Sequence, residues 1–296
     1  MPRETLRSLR DRSALAGRTA IVTGAAGAFG SATLKVLNFL GADAVGIDLK
    51  PAGPADNVMA CDVTDGDQVR EVVGEATRRL GGRLDVLIHY AGIGPAVDIG
   101  QDPDGEVREA LEVNLLGTWR VTGAALPALL RAREAGQARG RVVITASLLA
   151  VVTMPFTAAY TVSKRALTAY ADVLRLEYGT HLDVTTVYPG YVDTPIHDRS
   201  RAAGVALDGL VPPERVRDTV LTAVGAAAAG HPPRDVASTP LGNSTLRLAR
   251  HAPAAVDRVV AARIRRLVRR DTFTGAPLAA GLRDRHKEAQ DGGQCA

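Results

Sequence analysis

Thr19-Ala20-Ile21-Val22-Thr23-Gly24-Ala25-Ala26-Gly27-Ala28-Phe29-Gly30 is the stretch that decides how this chain is read. Residues 20–23 have strand composition, the glycines mark a tight turn, and residues 32–40 follow a helical pattern. A strand that turns sharply into a helix presents free backbone N–H groups and the positive end of the helix dipole to a pyrophosphate, and small residues let that group approach closely. A plain βα turn favours glycine too. The strand-turn-helix context is what makes Gly24, Gly27, Phe29 and Gly30 candidates for holding a dinucleotide.

The same alternation continues outward. Short β-branched runs over 44–47, 58–61, 86–89, 142–145 and 184–188 are separated by helical patterns, with a last short strand over 236–239. Several runs are apolar throughout, as strands are when helices cover both faces of a parallel sheet. With right-handed crossovers this predicts an α/β Rossmann fold: one doubly wound parallel sheet of about seven strands flanked by helices. Residues 1–16 form a basic extension, 17–246 the Rossmann catalytic domain, 247–274 a basic amphipathic helical segment, and 275–296 a tail expected to lack structure.

The chain has 296 residues and a formal charge of +4. Residues 1–18 contribute +3 and residues 247–270 contribute +7, which leaves −6 for the rest. The basic balance therefore belongs to two peripheral segments, and a nucleic-acid groove across the fold is not expected. Two cysteines, Cys61 and Cys295, make no disulfide framework and suit a reducing cytoplasm. No apolar run approaches the roughly 20 residues of a membrane span.

Asp48 stands at the end of the second strand, 24 residues after Gly24. A carboxylate there can accept from the adenosine ribose hydroxyls and would repel a 2′-phosphate, which favours NAD over NADP. Lys50 stands nearby, and Asp48 could also begin a turn with Pro51 and Gly53. Asp62, beside Val63, could reach the adenine edge, or it or Thr64 could cap the helix that follows. Further on, Tyr160 and Lys164 lie four apart and so share a helix face, with Ser147 thirteen residues upstream. An ammonium beside a phenol favours the phenolate and brings a group of reference pKa about 10 toward working pH.

These motifs together resemble the classical short-chain dehydrogenase/reductase family over roughly residues 17–230. Leu15-Ala16-Gly17-Arg18 leads into the glycine turn, Asp62-Val63 follows the third strand and Ala91-Gly92 the fourth. Asn114 opens a helix, Ser147 ends the fifth strand, Tyr160 and Lys164 follow, and Pro189-Gly190-Tyr191-Val192-Asp193-Thr194 closes the sixth. The resemblance implies that Tyr160 is the general acid/base and that Ser147 hydrogen-bonds the substrate oxygen. It implies that Lys164 binds the nicotinamide ribose and lowers the Tyr160 pKa, and that Asn114 holds a helix kink and a water leading from Lys164 to solvent. Val192 and Thr194, with Pro189, would bind the nicotinamide, and the helix over 166–178 would build a homodimer or homotetramer interface. The physics agrees, because an alcohol releases hydride only as its proton leaves.

Two segments depart from the family pattern. Ala28 replaces the second glycine of the turn while Gly27 adds one, and His89-Tyr90-Ala91-Gly92 carries a tyrosine where the family has a second asparagine. Ile93, Leu148, Leu149, Met154, Phe156 and Tyr191 are expected to line a largely apolar substrate cleft, with 196–210 as its flexible lid. The implied activity is an NAD(H)-dependent alcohol dehydrogenase or ketone reductase acting on a lipophilic secondary alcohol. The alternatives are a non-catalytic dinucleotide sensor and an extended-type epimerase or dehydratase. Near the C-terminus, Val256, Val260, Ile264 and Leu267 share one helical face and Arg258, Arg265 and Arg269 the other. That helix could pack on the cleft or on another subunit, or touch an anionic membrane through 253–270.

Overall fold

A computed structural model of the chain describes residues 14–51, 57–134, 139–205, 213–270 and 275–291. Seven parallel strands form one sheet in the order β3-β2-β1-β4-β5-β6-β7. They are β1 (Thr19–Thr23), β2 (Asp43–Asp48), β3 (Val58–Ala60), β4 (Val86–His89), β5 (Gly140–Thr145), β6 (Leu182–Tyr188) and β7 (Asp235–Ala237). β1 pairs with β2 on one side and β4 on the other, so the strand order reverses beside β1. Ligands of open α/β sheets bind in the crevice that this reversal opens at the carboxyl ends of the strands.

Helices cover both faces. One layer comprises α1 (Ala28–Phe39) and the helix Val216–Ala228; the two pack together over β1 and β5. Their core joins Val22, Leu34, Leu37, Ile88, Val143 and Val224. The opposite layer contains α2 (Gly66–Arg79), a long bent helix and α5 (Ala158–Tyr178). The bent helix runs as α3 (Glu106–Leu111), a π-helical turn over Glu112–Gly117, and α4 (Thr118–Glu134). Its core joins Ile21, Val73, Leu87, Leu129, Ile144 and Leu167. Because each central strand is buried on both faces, the strands carry the unbroken apolar runs seen in the sequence.

Beyond β6 lie α6 (Asp198–Ala202), α7 (the Val216–Ala228 helix), α8 (Pro240–His251), α9 (Pro253–Arg269) and α10 (Ala280–Asp291). The expectation that residues 275–296 lack structure is corrected over 280–291, where a helix forms. The reason is apolar contact: Ala276, Ala279 and Leu282 join Ala96, Phe156, Val205 and Leu267 in a small separate core. Val256 is buried and Val260, Ile264 and Leu267 are half-buried, so the apolar face of α9 turns to the protein while Arg258, Arg265 and Arg269 face outward. The lid expected over 196–210 has a short helix at 198–202. Residues 206–210 of that lid and most of the basic N-terminal extension lie outside the described residues. Among the described residues no helix is long and apolar enough to cross a membrane.

Candidate active site

The carboxyl ends of β1, β4, β5 and β6 surround a cavity of about 770 Å³. One end is the glycine turn. Gly24 has φ +65°, and a Cβ there would lie 2.7 Å from the Ala91 amide nitrogen, so only glycine brings β1 this close to the strand-end loop after β4. Gly30 packs its backbone against Gly24 in the same way, since a Cβ would meet the Gly24 carbonyl. Gly27 is the N-cap of α1, and no side chain caps the helix and no acidic residue occupies its first turn. α2 differs, because its first amides at Asp67 and Gln68 are taken by Asp65. The positive end of α1 is thus left open to the cavity, the arrangement an incoming phosphate requires.

The other end holds the reactive side chains. Tyr160 and Lys164 project from the first turns of α5, with Lys164 Nζ 5.6 Å from the centre of the Tyr160 ring. Lys164 is buried and donates to the Thr145 carbonyl at 2.9 Å. Burial pushes its ammonium down to about 8. Tyr160 is pushed up to about 12 by burial, and a hydrogen bond with Ser147 offsets part of that rise. The expected depression of the Tyr160 pKa by Lys164 is corrected for the protein alone, where desolvation outweighs the other influences. Ser147 also accepts from the Leu149 amide at 3.1 Å and so caps the 3-10 turn Leu148–Ala150.

Asn114 does not open a helix; it lies inside the π-helical turn between α3 and α4. Its Oδ1 accepts from the Ile93 amide at 2.8 Å, while Nδ2 donates to the Ile93 carbonyl at 3.0 Å and to Ser163 Oγ at 2.8 Å. Ser163 in turn donates to the Tyr160 carbonyl at 2.8 Å. The asparagine therefore ties the loop after β4 to the turn of α5 that carries Tyr160, and the extra residue of the π-turn directs it inward. Gly92 leaves room for Asn114 and Lys164, because a Cβ there would lie 2.9 Å from Asn114 Oδ1 and 3.3 Å from Lys164 Nζ.

A model of the family described as short chain dehydrogenase matches residues 18–204. The chain belongs to the short-chain dehydrogenase family. It is 32% identical over 200 residues to an L-fucose dehydrogenase of Bos taurus, a match spanning 64% of this chain and 71% of that one. It is 31% identical over 181 residues to a 3-ketodihydrosphingosine reductase of Bacteroides thetaiotaomicron, spanning 60% of this chain and 65% of that one. The chain thus spans less than two thirds of the second relative's length. Among solved structures, a short chain dehydrogenase from Burkholderia cenocepacia in complex with NADP superimposes with a TM-score of 0.68 at 26% identity, covering 83% of this chain and 98% of that one.

Within this short-chain dehydrogenase the remaining expected residues fall as follows. Asp48 accepts from the Ala26 amide at 3.0 Å and the Lys50 amide at 3.1 Å, which fixes its carboxylate beside the glycine turn. Asp62 accepts from the Thr64 amide and hydroxyl, both at 2.8 Å, while the helix cap is Asp65 rather than Asp62 or Thr64. Val63 is buried against Gly117 of the π-turn. Phe29, Pro189, Val192 and Thr194 line the cavity, as do Ile93, Leu148, Leu149, Met154 and Tyr191. Phe156 does not. It is buried in the C-terminal cluster with φ +63°, so its place in the cleft lining is corrected.

The two departures find definite places. Ala28 begins α1 at the cavity edge. The Tyr90 ring packs against Phe29 with centroids 5.7 Å apart, and its hydroxyl meets Thr33 Oγ1 at 3.0 Å. Tyr90 thus bolts the loop after β4 to α1. Four lining residues were not singled out in the sequence. Glu214 lines the cavity from the residues before α7, Leu241 and Thr245 line it from α8, and Arg199 on α6 forms a bidentate pair with Glu109 on α3 at 2.6 and 2.9 Å. Nothing in the pattern of residues 213–216 or 240–251 pointed into the cleft.

Proposed function

We propose that this chain is an NAD(H)-dependent oxidoreductase interconverting a lipophilic secondary alcohol and its ketone, with Tyr160 as general acid/base. One observation carries the reading: the Ser147–Tyr160 pair and Lys164 share a cavity whose far end is the open N-terminus of α1. The buried Thr145 hydroxyl beside them has no hydrogen-bond partner among the described residues. A nicotinamide bound between these ends would supply the hydride acceptor or donor. The chain's own residues do the rest. Ser147 orients the substrate oxygen, and Tyr160 takes the alcohol proton as hydride leaves carbon, or returns it to the ketone oxygen as hydride arrives. Lys164, charged below pH about 8, stabilises the negative charge that builds up on the phenolic oxygen.

We read NAD as preferred over NADP because the Asp48 carboxylate, held beside the glycine turn by the Ala26 amide, would repel a 2′-phosphate. A lipophilic substrate is supported by the wall that Ile93, Leu148, Leu149, Val152, Met154 and Ile196 contribute. The Bacteroides relative is named for a sphingoid ketone, which accords with this reading, whereas the Bos taurus relative is named for a sugar. The test is a panel of secondary alcohols, ketones and aldoses assayed with NAD(H) and NADP(H) by absorbance of the reduced cofactor. Tyr160→Phe should retain NADH binding and lose at least about a hundredfold in turnover. Failure of the parent to turn over any carbonyl or alcohol would remove the enzymatic reading, and faster turnover of aldoses would remove the lipophilic one.

A further inference from the structure

Glu214 stands one residue before the N-cap of α7, and its half-buried carboxylate joins two walls of the cavity. On one side Oε2 accepts from the Gly190 amide at 2.9 Å. The Glu214 amide donates to the Tyr191 carbonyl at 2.7 Å, and Glu214 forms an isolated parallel bridge with Val192. On the other side Oε1 accepts from the Thr239 hydroxyl at 2.8 Å. Thr239 is the N-cap of α8 and accepts from the Gly242 amide at 3.1 Å. Both glycines leave room for the carboxylate: a Cβ on Gly190 would lie 2.7 Å from Oε1, and one on Gly242 would lie 3.5 Å from it.

We infer that Glu214 is a positioning residue for cofactor binding, a clamp that sets the loop from Pro189 to Thr194 against the nicotinamide end of the cavity and couples it to the first turn of α8. The inference rests on the proposed dinucleotide site. Its physical basis is that a loop has no ladder of its own to hold its amides, whereas a carboxylate accepting several hydrogen bonds fixes them in direction as well as place. The two arms serve different ligands. The Gly190 arm holds the wall assigned to the cofactor, and the Thr239 arm holds Leu241 and Thr245 at the substrate mouth.

The experiment titrates NADH into the intact protein by fluorescence and measures both KM values alongside the thermal midpoint. Glu214→Ala should weaken NADH binding at least about tenfold, the equivalent of one lost charge-assisted hydrogen bond. Glu214→Gln, which keeps an acceptor for Gly190, should restore binding to within about threefold of the parent. Thr239→Val should leave NADH binding at the parental value and raise the substrate KM. Should Glu214→Ala fail to fold, Gly190→Ala displaces the carboxylate instead and should weaken NADH binding in the same sense. A parent that binds NADH while Glu214→Ala or Gly190→Ala binds it equally well overturns the clamp alone. A parent that binds no dinucleotide overturns the clamp together with the site on which it rests.

Discussion

At Tyr160 two effects oppose one another, and burial wins: the phenol holds its proton up to about pH 12 despite the hydrogen bond with Ser147. Lys164 shows the converse, since its ammonium gives up its proton at about pH 8 instead of 10.5. The unfolded chain therefore binds the Lys164 proton more tightly than the folded one between those two values, and stability should rise as pH increases from about 8 toward 10.5. Tyr160 acts with the opposite sign from its model value of 10.0 to about 12. Urea denaturation at stepped pH should show the rise, and Lys164→Met should flatten it. Tyr90 makes a second residue-scale prediction. Because its ring packs on Phe29 and its hydroxyl bonds Thr33, restoring the family's asparagine by Tyr90→Asn should destabilise the protein by about 2–4 kcal/mol through the cavity it leaves. A midpoint of denaturation equal to the parent's would show the ring to be dispensable.

Ser200 donates to the Gly94 carbonyl at 3.2 Å and helps hold α6 over the cavity, together with the Arg199–Glu109 pair, in which both side chains are nearly half exposed. Such a pair contributes less than about 1 kcal/mol to stability, yet it spans the cleft mouth from α6 to α3. Arg199→Ala should accordingly leave the thermal midpoint within about 4 °C of the parent while raising the substrate KM and sparing the NADH KM. Strands β1 and β4 were legible in the sequence because parallel strands buried on both faces are apolar throughout. The start of β5 was not, because Arg141 argues against a buried strand; in the structure its guanidinium donates to the Ala226 and Ala227 carbonyls at 3.2 and 2.7 Å and so satisfies the end of α7. Ser147, Tyr160 and Lys164 stood out by local spacing. Glu214 did not, because its partners Gly190 and Thr239 are distant in sequence and meet it only once β6 and β7 lie side by side.

On the scale of the molecule, the exposed surface of α4 and α5 carries Trp119, Val162, Val173 and Leu176, with the Trp119 ring packed at a tilt against Tyr170, 4.9 Å between centroids. Apolar side chains gathered on two adjacent helices suit contact with a second copy of the chain. We expect light scattering to give a dimer or tetramer, and Val173→Asp to shift it to monomer with the fold intact by circular dichroism. A monomeric parent would remove that expectation. The cavity itself is assembled from residues 24 to 245, drawn from both sides of the point where the strand order reverses. A nascent chain emerging from the ribosome therefore lacks part of the substrate wall until α8 has been made. Once complete, the protein gains from any bound ligand a restraint on nearly its whole length, so occupancy of one crevice protects against proteolysis even at strands far from it.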